Sequence, residues 1–255
     1  MKRITLFAAV ATVMVALFSC QKETTSNTPL PAQSLKIKTY TEDVRSSIFG
    51  TSVTNYNLSY DGNDRLVSMI QANNPGNRFV WAYPSSSKYT FDLFNNNILD
   101  IHGDYFLNSQ SLIDSAFQYN STRDSSTEKY IYNSAHQLIK WYEYDYSKVT
   151  GSSLWNVTTY TYDGAGNLLT TQDSNQDLYT YEYYTDKVYV MPKTIPVTVP
   201  NEKANLPKKV TVTDLGTVVA SATYTYTFDS KDRISTTRYD VSNGDVVIKT
   251  YTYFD

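Results

Sequence analysis

Aromatic residues alternate with threonines along much of this chain. In the stretch SATYTYTFD, Tyr224, Tyr226 and Phe228 occupy one set of alternate positions, and threonines occupy the other. The stretches TTYTYD and KTYTYFD repeat the arrangement. Because successive side chains of a strand point to opposite faces, the pattern predicts antiparallel strands with a buried aromatic face and a Thr-rich face toward solvent.

Several of these strands are joined by one form of loop. In each case an aromatic residue ends a strand, Asp or Asn opens a five-residue loop, and an aliphatic residue begins the next strand. These bounding pairs are Tyr60 and Leu66, Tyr132 and Leu138, Tyr162 and Leu168, and Phe228 and Ile234, with Leu107 and Ile113 as a looser fifth copy. The first loop residue can accept hydrogen bonds from the backbone two residues on, and Gly62, Gly164 and Gly166 are expected to supply positive φ. Each unit is therefore predicted to be a β-hairpin.

This aromatic–Asp–loop–aliphatic unit resembles the YD repeat of the Rhs and teneurin-like families, whose loops usually carry Gly before Arg. Here Arg65 and Arg233 keep the Arg without the Gly, whereas Gly166 keeps the Gly without the Arg. Together with the N-terminal signal described next, the chain is similar to YD-repeat-like lipoproteins of Bacteroidota. The resemblance implies a single all-β domain over residues 35–255, built as a curved antiparallel sheet of successive β-hairpins.

The first twenty residues have the layout of a bacterial export signal. Lys2 and Arg3 precede an apolar run of signal-peptide length, which is short for a membrane span. The segment Leu17-Phe18-Ser19-Cys20 resembles a lipobox, although Phe18 is larger than the usual residue there. The resemblance implies a lipoprotein signal peptide over residues 1–19 and lipidation of Cys20, the only cysteine. The alternative is an ordinary secretory signal followed by a chance cysteine.

Residues 20–34 are polar and contain two prolines, so we expect a flexible tether between the anchor and the domain. Gln21, rather than Asp, follows the cysteine, and Lys22-Glu23 weakly resembles the surface-export signal of Bacteroidota lipoproteins. The resemblance implies an outer-membrane location, facing either the periplasm or the outside, with membrane contact through the lipid on Cys20.

The net charge of the chain and its small number of candidate catalytic or metal-binding residues limit the functions that can be considered. The formal net charge is -3 and the Lys and Arg residues are scattered, which argues against a nucleic-acid partner. No cofactor-binding motif is present, and we expect no cofactor. Asp100, His102 and Asp104 would share a face of a strand and could bind a divalent cation, but Gly103 indicates a turn, so we assign no metal site. His136 is expected to be a solvated loop residue.

A binding role and an enzymatic role both stay open at this stage. Trp81, Trp141 and Trp155 are the best candidates for exposed aromatic rings that hold a glycan or a protein ligand, unless they belong to the core. Asp114-Ser115-Ala116 matches the acceptor pattern of Bacteroidota O-glycosylation, which makes Ser115 a candidate site. We therefore predict a lipid-anchored outer-membrane or cell-surface protein that acts as a binding or scaffolding module. The alternative is a carbohydrate-directed, carboxylate-based enzyme of the cell envelope, although most acidic residues lie in predicted turns.

Overall fold

The computed structural model describes residues 36–120, 125–147, 151–188 and 205–254. The predicted signal peptide over residues 1–19, Cys20, the predicted tether and the proline-rich residues 189–204 lie outside the described residues. Within those ranges the chain forms sixteen β-strands. They are β1 (Ile37–Ser46), β2 (Gly50–Tyr60), β3 (Leu66–Gln71), β4 (Arg78–Ser85), β5 (Lys88–Asn95), β6 (Ile98–Leu107), β7 (Ile113–Asn120), β8 (Ser125–Tyr132), β9 (Leu138–Ser147), β10 (Gly151–Tyr162), β11 (Leu168–Gln172), β12 (Leu178–Val188), β13 (Asn205–Asp214), β14 (Thr217–Phe228), β15 (Ile234–Val241) and β16 (Val246–Tyr253). In the described ranges, no helix is both long enough and apolar enough to cross a membrane.

The sheet closes on itself, and this corrects the expected architecture. Every strand pairs antiparallel with its neighbours in chain order, and β1 also pairs with β16, as in the register Tyr40 opposite Tyr251. The all-β class and the hairpins were predicted, but the curved sheet of YD-repeat hairpins is wrong, because the structure is a closed barrel. Closure pairs the N–H and C=O groups that the first and last strands would otherwise expose as edges.

The two faces of the barrel follow the predicted alternation. On β14 and β16, Tyr224 and Tyr251 are buried inside the barrel, whereas Thr223, Thr225 and Thr250 are exposed outside. The interior holds two hydrophobic clusters that both pack against Tyr130 and Tyr226. A membrane-spanning barrel has the reverse arrangement, with an apolar band outside and polar side chains within. These strands therefore bury their aromatic side chains in a core and present hydroxyl groups to the surroundings.

The five-residue loops share one geometry, which confirms the predicted hairpins. In the first loop, Asp61 Oδ1 accepts hydrogen bonds from the backbone N–H groups of Asn63 and Arg65, both at 2.9 Å. The same pair of bonds is made by Asn108, Asn133, Asp163 and Asp229. The fourth loop residue has positive φ in every copy, at Asp64, Ser111, His136, Gly166 and Asp232.

Two details of the loops differ from expectation. Gly62 and Gly164 do not adopt positive φ, so only Gly166 of the three glycines fulfils the predicted role. A further loop of the same geometry spans Asp173 to Asp177, with Gln176 at φ 72°. The sequence pattern did not predict this loop, because Gln172, rather than an aromatic residue, precedes it. His136 is exposed in its loop, as predicted.

The predicted loop copies all lie at one end of the barrel. They connect β2 to β3, β6 to β7, β8 to β9, β10 to β11 and β14 to β15, and antiparallel order places these connections together. Lys36, which precedes β1, lies at the same end, where its backbone carbonyl accepts a bond from the N–H of Phe254 at 3.0 Å. We call this end the Asx-loop end and the other the distal end.

Candidate functional site

The outer face of the barrel changes character on β7, β8 and β9. In one row, Phe117, Thr127 and Tyr144 lie directly opposite one another on the three strands. All three project outward, because their neighbours along the strands, among them Ala116 and Glu128, are buried inside. Phe117 is 38% exposed and Thr127 is exposed. Aromatic rings thus stand on both sides of a threonine.

A second row nearer the distal end repeats this arrangement. Tyr119, Ser125 and Tyr146 are opposite one another on the same strands, and Tyr146 is 50% exposed. The rings of Phe117 and Tyr119 are 6.2 Å apart between centroids and form one wall. We call the feature the aromatic groove. It consists of Phe117 and Tyr119 on β7, Ser125 and Thr127 on β8, and Tyr144 and Tyr146 on β9.

A third outward tyrosine extends the second wall toward the Asx-loop end. Tyr142 stacks on Tyr144, with ring centroids 6.5 Å apart and an interplanar angle of 18°. Its cross-strand neighbour on β8 is Lys129, which is exposed. Lys129 therefore places an ammonium group beside the end of the groove floor.

Charged groups border the β7 wall and are paired among themselves. His102 Nδ1 on β6 lies 2.6 Å from Asp92 Oδ1 on β5, and the His102 ring is 5.0 Å from that of Tyr119. Lys88 Nζ contacts Asp104 Oδ1 at 2.8 Å. The carboxylate of Asp104 thus lies next to the groove, and the ammonium group of Lys88 offsets its charge.

The three predicted tryptophans occupy different environments. Trp81 is only 3% exposed and belongs to the core, and Trp141 faces the barrel interior on β9. Trp155 is 60% exposed, at a register shift in β10 between Leu154 and Asn156. Leu154 is opposite Tyr144, so this exposed apolar surface continues beyond the second wall. Of the three, Trp155 alone has the exposed ring that the binding prediction requires.

The predicted turn at His102 is wrong, because the segment is part of β6. Gly103 is buried, and a Cβ atom there would lie 2.8 Å from Cε2 of Tyr105, whose ring stacks on Tyr89 with centroids 4.6 Å apart. The glycine thus makes room for a ring rather than a turn. In the described part of the chain, no group of three His, Cys, Asp or Glu side chains could hold a metal ion.

Ser115, the candidate glycosylation site, lies on the outer face of β7. It is half-buried and opposite Lys129 on β8 and Phe106 on β6. Its modification stays a prediction.

Two carboxylates face each other inside the barrel. Glu128 on β8 is directly opposite Glu143 on β9. Glu128 is 8% exposed and accepts hydrogen bonds from Gln118 Nε2 at 2.5 Å and from the hydroxyl of Tyr130. Burial raises the pKa of Glu128, although these donors oppose the shift.

Burial also raises the pKa of Glu143, to about 7, and the nearby charge of Glu128 adds to the shift. Glu143 Oε2 accepts a bond from Asn156 Nδ2 at 2.8 Å, which acts in the other direction. Asn156 is itself fixed by Ser174, whose hydroxyl donates to Asn156 Oδ1 at 2.7 Å. Both carboxyl groups are therefore protonated more readily in the folded barrel than in the unfolded chain.

The sequence contained a signal for the groove that the alternation argument missed. In the stretch YEYDY of β9 the tyrosines alternate with Glu143 and Asp145, as tyrosines elsewhere alternate with threonines. Only the register shows that here the tyrosines are outside, because Trp141 and Glu143 face inward. The period-two pattern of β9 does not say which face is buried, because aromatic residues occupy both sets of alternate positions.

Comparison with solved structures shows the fold. A porin-like protein from Bacteroides uniformis superposes with a TM-score of 0.62 and 13% identity, covering 87% of this chain and 98% of that one. A porin-like protein from Bacteroides vulgatus gives a TM-score of 0.61 and 9% identity, covering 87% of this chain and 99% of that one. A TcdB2–TccC3 toxin structure gives a TM-score of 0.21 over 13% of its own length and carries no weight. No family model matches the sequence, and no curated protein matches it.

Proposed function

We propose that this is a lipid-anchored protein of the outer membrane or cell surface that acts as a binding module, with the aromatic groove as its ligand-binding face. One observation carries the binding role. On most strands the aromatic residues point into the core. On β7 and β9, in contrast, pairs of aromatic rings point outward on either side of β8, whose outward side chains between them are small and polar. Exposed aromatic clusters bordered by polar residues mark interaction sites.

The membrane location is supported by the export signal and by the fold. The barrel fold is similar to porin-like proteins from Bacteroides. Because the outer face is rich in threonine, attachment through Cys20 fits this chain better than strands that cross the lipid. An extended tether of residues 20–34 would reach about 50 Å. It would join the barrel near Lys36 at the Asx-loop end, which leaves the distal part of the groove directed away from the anchor.

The anchor is tested by metabolic labelling with a fatty-acid probe. Wild-type protein should take up the label and Cys20→Ala should not. Equal labelling of the two proteins would remove the lipid anchor from the proposal.

The binding face is tested without knowledge of the ligand. Side-chain oxidation by a brief pulse of hydroxyl radicals would be compared between purified protein and protein in the envelope of its native host. We expect Phe117, Tyr119 and Tyr146 to be protected in the envelope. Phe49, an exposed ring in the β1–β2 turn, is the matched control and should react equally in both samples. Equal oxidation of the groove residues in both samples would show that the face is unoccupied, contrary to the proposal.

An enzymatic role has one observation in its favour, the facing carboxylates of Glu128 and Glu143. Two carboxyl groups flank the scissile bond in most glycoside hydrolases. Both oxygens of Glu128, however, already accept hydrogen bonds from Gln118 and Tyr130, and the side chain is almost wholly buried. The pair therefore fits an internal polar contact better than a catalytic one.

A further inference from the structure

We infer that the ligand of the aromatic groove is an uncharged glycan, held with a sugar ring over Thr127 between the rings of Phe117 and Tyr144. This inference rests on the proposed function, since it names the ligand class of the same face. It is argued from the spacing of the walls, the chemistry of the floor and the charge of the rim.

The spacing of the walls suits a six-membered sugar ring. Phe117 and Tyr144 are on strands separated by one intervening strand. Neighbouring strands lie about 4.8 Å apart, so the two walls start about 9–10 Å apart. A ring that contacts an aromatic side chain on each side needs about 3.5–4 Å per contact. Two such contacts with a flat ring span less than the distance between the walls. A saturated sugar ring is thicker, because of its axial C–H groups, and fills this distance better.

The floor and the rim supply hydrogen-bonding groups. The side chains of Thr127 and Ser125 place hydroxyl groups between the walls, and each hydroxyl can both donate and accept. Lys129 lies at one end, and the carboxylate of Asp104 is opposite Phe117 on the outer side of the first wall. Hydroxyl-rich ligands need such paired donors and acceptors together with apolar faces for their C–H groups.

The charges of the rim favour an uncharged ligand. The rim carries the carboxylates of Asp92 and Asp104 and the ammonium groups of Lys88 and Lys129, so neither sign of charge is in excess. An anionic membrane surface is attracted by clustered Lys and Arg. An apolar peptide segment would leave the hydroxyl groups of the floor without partners. The groove thus matches a sugar more closely than either of these alternatives.

The test is calorimetric titration of the full-length protein, purified in a detergent without a sugar headgroup. The probes are cellohexaose, laminarihexaose, maltohexaose and mannohexaose, and a proline-rich peptide and phospholipid vesicles are titrated as competing ligand classes. We expect at least one to bind the wild-type protein and to bind Tyr144→Ala at least tenfold more weakly. Thr127→Trp should also abolish binding, because it fills the floor while both walls remain, and an outward aromatic residue is well tolerated in a strand. Phe49→Ala removes an exposed ring elsewhere and should bind like the wild type.

The result can contradict the inference in three ways. The inference is overturned if none of the four hexasaccharides binds, or if Tyr144→Ala and Thr127→Trp bind them as wild type does. It is also overturned if a proline-rich peptide or phospholipid vesicles bind at the groove and the sugars do not. Protection of Phe117 and Tyr119 in the native envelope would in that case still support a binding face, so failure of the glycan inference is distinguishable from failure of the proposed function.

Discussion

The phenol hydroxyl of Tyr253 donates a hydrogen bond to the backbone carbonyl of Ile234, at 2.6 Å. Tyr253 ends β16, and Ile234 begins the strand before it, directly after an Asx loop. The bond therefore fixes the end of one strand to the start of its neighbour. It also gives a buried hydroxyl the partner that it needs inside an aromatic core.

The same bond recurs around the Asx-loop end. Further examples are Tyr60 to Ile37 at 3.1 Å, Tyr83 to Leu66 at 2.8 Å, Tyr132 to Ile113 at 2.8 Å and Tyr162 to Leu138 at 2.7 Å. In each case the tyrosine reaches the first residue of the neighbouring, preceding strand. The tyrosine of the repeated sequence unit thus has two roles, since its ring packs in the core and its hydroxyl links adjacent hairpins.

Tyr253→Phe should destabilise the barrel by about 1–3 kcal/mol, because the carbonyl of Ile234 loses a buried partner while the ring is retained. Tyr89→Phe is the matched control. The Tyr89 ring is buried in the same cluster, but its hydroxyl has no hydrogen-bond partner within the described residues. We expect Tyr89→Phe to be neutral or slightly stabilising. Urea unfolding followed by fluorescence measures both, and equal losses would show that the hydroxyl bond is not what holds the strands.

The loops and the buried faces of several strands could be predicted from the sequence. The Asx loops follow from a carboxylate or amide that bonds the backbone two and four residues on, which is a property of five consecutive residues. The alternation of tyrosine with threonine also predicted correctly which face of β14 and β16 is buried. Both are local patterns, and neither depends on where the other strands lie.

The closure of the barrel and the position of the aromatic groove could not be predicted from local sequence patterns. Closure depends on the pairing of β1 with β16, whose registered residues Tyr40 and Tyr251 are far apart in the chain. The groove depends on which face of β9 points outward, and the register of that strand decides it. Strand register also decides which of the three predicted tryptophans is exposed, since Trp155 is exposed and Trp81 is buried.

Removing an inward aromatic side chain should cost far more than trimming an outward threonine. Tyr160 is buried and Thr161, its neighbour on β10, is exposed. Tyr160→Ala should destabilise the protein by about 3–5 kcal/mol, through lost burial and the cavity left behind. Thr161→Ser removes one methyl group and some strand propensity, at less than about 1 kcal/mol. Closely similar urea midpoints for the two variants would mean that the tyrosine face is not the core.

Two glycines of one loop should respond in opposite ways to the same substitution. Gly166 has φ of +87° and its Cβ position lies 3.4 Å from Gln137 Nε2, whereas Gly164 has no positive φ and open space around it. Gly166→Ala should therefore cost about 1 kcal/mol. Gly164→Ala should be neutral or stabilising by up to about 1 kcal/mol, because it restricts the unfolded chain. Thermal unfolding of both variants gives the comparison, and a loss at residue 164 as large as that at residue 166 would contradict the assigned backbone geometry.

Glu143 should make the barrel less stable as the pH rises from acidic values to neutral. Burial raises its pKa in the folded protein from 4.5 to about 7. A group whose pKa is raised on folding contributes stability fully below its unfolded pKa, and this contribution is lost as the pH rises through the folded value. The loss should thus fall between about pH 4.5 and 7, where the Glu143 carboxyl group is ionised in the unfolded chain but still protonated in the barrel.

Glu143→Gln keeps an oxygen that can accept the bond from Asn156 and removes the titrating group. We expect its unfolding midpoint to match that of the wild type near pH 4 and to exceed it near pH 8, with a flatter pH dependence between the two. Glu182→Gln is the matched control, since Glu182 lies on the outer face, where its side chain is 54% exposed and contacts Lys209 at 3.8 Å. That variant should follow the wild-type profile. Urea unfolding at intervals from pH 4 to 8 measures all three proteins, and a wild-type profile for Glu143→Gln would mean that this carboxyl group ionises as freely in the barrel as in the unfolded chain.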